Sequence, residues 1–187
     1  YLEQDAEFTQ SVNWIKFDKD RKLIANNFDG QGFVNGFLAQ NFSIKNKKVC
    51  VFGAGGAAVS IACSLATQKI KSLKIINRNV EKANVLMKKL KVIDKNLFVE
   101  VDIYSDNSLL YDCDIIINAT SLGLHKQDRL PFDVSKTSPN AIIADIIMQP
   151  LETELLKKAK DLGRPVHYGK YMIESQIDLA GNFLDLW

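Results

Sequence analysis

Gly53, Gly55 and Ala58 have the spacing of a turn that wraps a pyrophosphate, within Lys48 to Ala58, KVCVFGAGGAA. Gly53 permits the tight turn, Gly55 lets the backbone approach phosphate oxygens, and Ala58 takes the third small position of the G-x-G-x-x-G/A pattern. A helix opening near Gly56 aims free N–H groups and its positive dipole end at the anion, which makes Gly53, Ala54, Gly55, Gly56 and Ala57 candidate cofactor contacts. The alternative role for the glycines is a plain strand-to-helix turn. A second candidate segment is Asn118 to Leu124, NATSLGL, whose Ala119, Thr120, Ser121 and Leu122 are small or hydroxylated enough to lie against a dinucleotide. Thr120 and Ser121 also suit the humbler task of bonding their own turn. A third is Asn77-Arg78, with no acid until Glu81. An acid about twenty residues past the glycines accepts a ribose 2′-OH, whereas an arginine suits a 2′-phosphate. With Arg78 on the phosphate and Asn77 on the ribose, the pattern predicts NADP over NAD.

These segments need a scaffold that brings them together. Lys48 to Phe52 is a short β-branched and aromatic run, and Ala57 to Gln68 is helical, with Val59, Cys63, Ala66 and Ile61, Leu65 on neighbouring apolar stripes. Upstream, Val12 to Phe17 and Leu23 to Asn27 read as a hairpin closed by the polar turn Asp18 to Lys22, and Gln31 to Asn41 as a helix. Downstream, strands are expected at Ser72 to Asn77, Leu97 to Val101, Asp114 to Asn118, Ala141 to Ile147 and Val166 to Tyr168. Helices are expected at Val80 to Leu90 and Thr153 to Leu162, and a single terminal helix over Met172 to Leu186. The alternation predicts an α/β protein, a doubly wound parallel sheet covered on both faces. In the usual strand order the strands ending at Phe52 and Asn118 adjoin at the switch point, so the loops that leave them line one crevice.

The whole chain narrows the function classes. Its 187 residues are 47% hydrophobic, enough for a core, and the net charge of +2 is nearly neutral. The lysine pairs at Lys47/Lys48, Lys88/Lys89 and Lys157/Lys158 read as solvated edges, so nucleic acid is not an expected partner. Three cysteines stand far apart in the sequence, with Cys50 and Cys113 in apolar strand-like runs, as suits buried thiols in a reducing compartment. No metal site is expected. The best apolar run, Ala141 to Met148, is interrupted by Asp145, so no membrane span is expected and a soluble cytoplasmic protein is. His125, in a polar loop, and His167, in a short strand, receive no catalytic role, and Leu151 to Leu162 has the amphipathicity of a sheet-covering helix. Tyr1 is not an initiator, so the chain is expected to begin inside a longer protein. The sequence does not fix an oligomeric state.

Taken in order, the motifs resemble the quinate/shikimate dehydrogenase family. The pieces are Ser11-Val12-Asn13 (the family's AVN), Asn27-Phe28-Asp29-Gly30 (its NTDG), GAGGA at Gly53 to Ala57 and NRNVEKA at Asn77 to Ala83. They continue with NATSLGL, DIIMQPLETELLKKAKDLG from Asp145 to Gly163, and GKYMIESQ from Gly169 to Gln176. The resemblance implies a Rossmann NADP-binding domain with a remnant of an N-terminal substrate domain. It implies residues 1–33 in that remnant, 34–170 in the Rossmann domain and 171–187 as a C-terminal helix returning toward the substrate domain. It implies NADP-dependent, reversible reduction of 3-dehydroshikimate to shikimate, on the route to chorismate and the aromatic amino acids, with a hydroxylated cyclohexene or cyclohexane carboxylate as substrate. Asp29 falls on the catalytic Asp, which works beside a Lys on the proton of the reacting hydroxyl. Asn13, Asp29 and Gln176 fall on substrate-binding positions, and Gly169 and Met172 on positions facing the nicotinamide.

The chemistry agrees with those residue types. A carboxylate beside an ammonium can supply a proton as an alkoxide forms, and uncharged, two-handed side chains such as Asn13 and Gln176 can hold substrate hydroxyls. Read alone, Asp29 before Gly30 is an ordinary helix N-cap, Gln176 a polar helix residue and Met172 core. Three departures stand out. The family's carboxylate-binding serines and catalytic Lys fall upstream of Tyr1; Phe28 replaces the Thr of NTDG; Met148 replaces the Tyr of DxxYNP. The last two resemble the divergent shikimate-dehydrogenase-like branch, where substrate preference differs, so quinate or a related polyol acid is the alternative substrate. The glycine turn by itself would equally suit a non-catalytic dinucleotide-binding regulatory module, or a methylene-tetrahydrofolate dehydrogenase or glutamyl-tRNA reductase-like domain. The AVN, NFDG and GKYMIESQ segments speak against those two reductase-type domains.

Overall fold

The computed structural model describes residues 1–103 and 110–187. Strands β3 (Lys48–Phe52), β4 (Ser72–Ile76), β5 (Phe98–Asp102), β6 (Ile115–Asn118), β7 (Ile142–Asp145) and β8 (Val166–His167) form one sheet in the order β5-β4-β3-β6-β7-β8. Every pairing in it is parallel. β3 and β6 are buried along almost their whole length because helices cover both faces, which is why they read as unbroken apolar runs. On one face lie α2 (Asp29–Ala39), α3 (Gly56–Thr67) and α4 (Val80–Ile93), around a core that includes Phe33, Phe37, Ile61, Leu65, Leu86 and Ile117. On the other, Phe132, Val134, Leu155 and Leu156, from the segment after β6 and from α5 (Glu154–Asp161), cover Cys50, Ile116 and Ile143.

The expected hairpin is present as β1 (Trp14–Phe17) paired antiparallel with β2 (Leu23–Asn26), its turn held by Asp18 Oδ1, which accepts from the N–H groups of Asp20 and Lys22. Three expectations change. The terminal helix is two helices, α6 (Lys170–Glu174) and α7 (Ile177–Phe183), broken at Ser175 and Gln176. A short helix, α1 (Gln4–Thr9), precedes the hairpin where none was expected. The expected helix at Gln31 also begins earlier, at Asp29, so α2 runs unbroken through the position of the 33/34 domain boundary.

Helix α2 packs unusually close to its neighbours. A Cβ at Gly32 would lie 2.5 Å from Met172 O, one at Gly36 would lie 2.5 Å from Tyr171 O, and one at Gly30 would collide with Ser60 O of α3. These positions let two helices touch α2 at backbone distance.

Behind this seam lies His167, fully buried, with neither ring nitrogen hydrogen-bonded among the described residues. Its ring sits among Phe33 at 5.2 Å, Phe37 at 5.1 Å, Tyr171 at 5.3 Å and Phe42 at 6.5 Å. Burial pulls its pKa down to about 4, so the folded protein holds it neutral. An unfolded chain takes up this proton near pH 6.5, so the contribution of neutral His167 is complete above that pH and is lost as pH falls toward 4. Asp145, described below, titrates with the opposite sign, so the informative quantity is the difference between variant and wild type. In His167→Phe, urea denaturation of the full-length protein from pH 7.5 to 4.5 should show a shallower loss of stability on acidification. The difference at the acid end should be roughly 2–3 kcal/mol, and parallel profiles would contradict it.

Candidate functional site

The site starts where β3 ends. Gly53 has φ +114°, and a Cβ there would sit 2.7 Å from Ala119 O, so a side chain is excluded by both conformation and space. The Gly53 N–H donates to Ile76 O at 2.9 Å and the Ala119 N–H to Phe52 O at 2.9 Å, which pins the ends of β4, β3 and β6 at one level. Gly55 caps α3 in an extended conformation with open space around it, among the described residues no side chain accepts from the N–H groups of the first turn, and that turn carries no acid. The leading amides of a 12-residue helix therefore face the crevice uncapped, an arrangement suited to an anion.

The two other candidate segments meet each other beside the end of β3. A cavity of about 250 Å³ is lined by Asn77 and Arg78 from the end of β4 and by Thr120, Ser121 and Leu122 from the loop after β6, over a floor of Phe52 and Ile76. Asn77 Nδ2 donates to Asn79 O at 2.7 Å, and Asn79 caps α4 through the Lys82 N–H, so the Arg78 backbone is set by two local bonds while its side chain stays exposed. Arg129, which no motif in the sequence singles out from its polar loop, lines the same cavity.

Beneath NATSLGL lies a buried polar network that no motif announces either. Asn118 Nδ2 donates to Leu122 O at 3.0 Å and to Asp145 Oδ1 at 3.1 Å, while Asn118 Oδ1 accepts from Thr120 N–H at 3.1 Å and Thr120 Oγ1 at 2.7 Å. Thr120 Oγ1 accepts in turn from the Leu122 N–H, so this residue does satisfy its own turn while lining the cavity. Asp145 also receives the Ile147 N–H at 3.1 Å and Thr153 Oγ1 at 2.8 Å. Burial pushes its carboxyl up to about 6, against the hydrogen bonds from Thr153, Ile147 and Asn118, which favour the charged form. The signal in the sequence was an Asn and an Asp at the ends of two buried strands, and register puts Asn118 directly opposite Asp145.

The residues implied for substrate converge at the other end of the crevice. Asn13 Nδ2 donates to Asp29 Oδ1 at 2.8 Å and to Gln176 Oε1 at 3.3 Å, and Gln176 Nε2 donates to Asp29 Oδ1 at 3.3 Å. Trp14 Nε1 adds a bond to Gln176 Oε1 at 3.4 Å. Asp29 is the first residue of α2, and the cap position belongs to Phe28, whose side chain makes no capping bond. The ordinary-cap reading of Asp29 is therefore set aside. The Asp29 N–H is held by Asn27 Oδ1 at 3.0 Å and the Phe28 N–H by Asn13 Oδ1 at 3.1 Å, which fixes the carboxylate at the mouth of the helix. The Phe28 ring turns away to meet Phe183 edge-on at 5.7 Å. Ser11 Oγ lies 3.4 Å from where a Cβ of Gly56 would be, so the start of α3 and the Asn13 cluster share one crevice.

Gly169 opens α6 against Ile146 O and Ile147 O, each 2.5 Å from a Cβ placed there. Met172 is buried in the core beside α2, its carbonyl against Gly32. His125 is exposed in the loop after β6, where Asp128 Oδ2 accepts its N–H and that of Gly123; those two bonds hold the Asp128 carboxyl below the usual range.

This arrangement has known counterparts. The family model described as Shikimate / quinate 5-dehydrogenase matches residues 37–146. The chain belongs to this family. It is 36% identical over 179 residues to the shikimate dehydrogenase (NADP(+)) of Pelagibacter ubique, an alignment that covers 96% of this chain and 64% of that protein. A solved shikimate dehydrogenase in complex with NADP+ superposes with a TM-score of 0.88 at 32% identity, covering 97% of this chain and 63% of that one. The ligand-free 5-ketofructose reductase of a Gluconobacter strain superposes at 0.85 with 30% identity, covering 97% and 65%. The chain thus spans just under two thirds of the length of these relatives. Among the described residues no helix is long and apolar enough to cross a membrane, and Cys50, Cys63 and Cys113 are all buried.

The Asn118 network yields a test of the loop it supports. Asn118→Asp puts a second carboxyl within hydrogen-bond reach of Asp145, and two buried carboxylates cannot both stay charged. At pH 7 the variant should lose roughly 3–5 kcal/mol of stability. Because the folded pair binds a proton more tightly than the unfolded chain, part of that loss should return between pH 7 and 5. A pH-independent loss in thermal or urea unfolding would show that Asn118 and Asp145 are not coupled.

Proposed function

We propose that the full-length protein reduces 3-dehydroshikimate reversibly to shikimate with NADPH, and that this chain holds the cofactor and one wall of the substrate cleft. The observation that carries the reading is the Asn13–Asp29–Gln176 cluster, assembled from three distant segments in the crevice that begins at the uncapped end of α3. In this reading residues 1–33 belong to the substrate lobe, 34–170 form the Rossmann domain and 171–187 return to the lobe. The exposed Ile15, Phe17 and Leu23 of the hairpin support a lobe that continues beyond these residues.

The donor set fits NADP. The first-turn amides of α3 and the glycine turn, Gly53 to Ala57, receive the pyrophosphate; Asn77 and Arg78 receive the 2′-phosphorylated ribose; Ala119 to Leu122 form the opposite wall; Gly169 and Met172 border the nicotinamide end. Bound NADPH supplies the hydride that reduces the ketone. The protein must then place the substrate and manage a proton. Asn13 and Gln176 each bring a donor and an acceptor to substrate hydroxyls, and exchanging their mutual bonds for substrate keeps every polar group satisfied. Asp29 already takes two bonds on Oδ1, and among the described residues its Oδ2 has no partner. That oxygen, beside a lysine supplied by the rest of the protein, holds the proton that passes to the alkoxide during reduction and leaves the hydroxyl during oxidation.

A second reading, reduction of another polyhydroxylated ketone by the same residues, is favoured by Met148, which is 46% exposed where the family carries Tyr, and by the likeness to a 5-ketofructose reductase. One assay separates the two: NADPH oxidation by the full-length protein with 3-dehydroshikimate, 3-dehydroquinate and 5-ketofructose. We expect the highest kcat/KM with 3-dehydroshikimate. Asp29→Asn should lower kcat by roughly 10²–10⁴ with little change in KM, and Asn13→Ala should act mainly on KM. Full activity in Asp29→Asn removes Asp29 from the mechanism, and a higher kcat/KM with 5-ketofructose selects the second reading.

A further inference from the structure

We propose that Arg129 is the second half of a two-arginine clamp on the ribose 2′-phosphate, and with Arg78 determines the choice of NADP over NAD. The inference rests on the dinucleotide reading above and extends it to a residue that the glycine turn and the β4 end do not reveal. Arg78 and Arg129 come from loops on two sides of the switch point, and both line the 250 Å³ cavity floored by Phe52 and Ile76. Both are exposed, and among the described residues neither has an ion pair or a hydrogen bond from its guanidinium.

The acids that could neutralise Arg129 are engaged or turned aside. Asp128, its chain neighbour, points back into its own loop to accept the Gly123 and His125 N–H groups. Glu152, which lines the adjoining cavity with Arg129, is bound to Lys160 at 2.8 Å and to Tyr168 at 3.0 Å. Glu154 lines that cavity too and makes no ion pair with Arg129. On the other side, Glu81 in the first turn of α4 leaves Arg78 unpaired.

Two unpaired cations at one concave site repel each other unless an anion joins them, and a planar guanidinium matches phosphate oxygens in two-point geometry. The pyrophosphate already has its place at the α3 end, under Gly55 and Gly56. The cavity instead lies over the end of β4, the position that meets the adenosine ribose in a doubly wound sheet. An anion held there is the one that distinguishes NADP from NAD.

The test uses the full-length protein and measures dissociation constants for NADPH, NADH, 2′,5′-ADP and 5′-AMP by fluorescence or calorimetry. Because Arg129 is exposed, its loss cannot disturb the core. We expect Arg129→Ala to weaken NADPH and 2′,5′-ADP about five- to tenfold, and to leave NADH and 5′-AMP within about twofold. Arg129→Lys should fall between, and the wild-type preference for NADPH should shrink as ionic strength rises. A selective loss in Arg78→Ala with none in Arg129→Ala overturns the clamp while leaving the dinucleotide reading intact. Equal weakening of NADPH and NADH in Arg129→Ala overturns it as well, since the residue would then not read the phosphate. Failure of the wild type to bind any of the four ligands overturns the dinucleotide reading itself and the clamp with it.

Discussion

The approach of α2 to its neighbours at backbone distance sets the geometry of the crevice. Side chains at Gly30, Gly32 and Gly36 would push α3 and α6 outward by a layer of atoms, and the consequences run to both ends of the site. Moving α6 would carry Gln176 away from Asp29, since a carbon of the Gln176 side chain lies 2.5 Å from a Cβ placed at Gly32. Moving α3 would carry the amides over Gly55 away from the hairpin that bears Asn13. The helix has no long face of its own to bury at those positions, and the free energy of its docking comes from Phe33, Val34 and Phe37.

A different kind of constraint holds the opposite wall. The loop after β6 is shaped from below by Asn118 and Asp145, two polar side chains fully buried at the ends of adjacent strands. A buried carboxyl is tolerated because Asn118, Ile147 and Thr153 all donate to it, and Thr153 also caps α5. The loop on the cofactor side, the strand β7 and the helix behind it are therefore one hydrogen-bonded unit.

Much of this was legible in the sequence for simple reasons. Strands buried on both faces read as apolar runs, and a glycine turn between such a run and a small-residue helix has few other physical explanations. The switch point followed from strand order alone. What local pattern could not supply was distance. Asn118 and Asp145 meet through register, Arg129 reaches the cavity over Phe52 and Ile76 from the middle of a polar loop, and His167 finds four aromatic rings from three separate segments. The break at Ser175 and Gln176 left no glycine or proline to mark it, and α1, at six residues, is too short to show a period. Asp29 shows the limit from the other side: the cap it resembles belongs to Phe28, and only the fold shows its carboxylate turned toward Asn13 and Gln176.

Gln176 and Asp29 touch across nearly the whole length of the chain, with the entire sheet threaded between them. In topological terms the sheet is an insertion whose entry and exit lie side by side. Lys16 reinforces the closure from outside the crevice, pairing with Asp185 at 2.7 Å and resting over the Phe183 ring. The two ends of the stretch of chain that carries the sheet therefore meet at Asp29, and the position of this carboxylate is set from both ends at once.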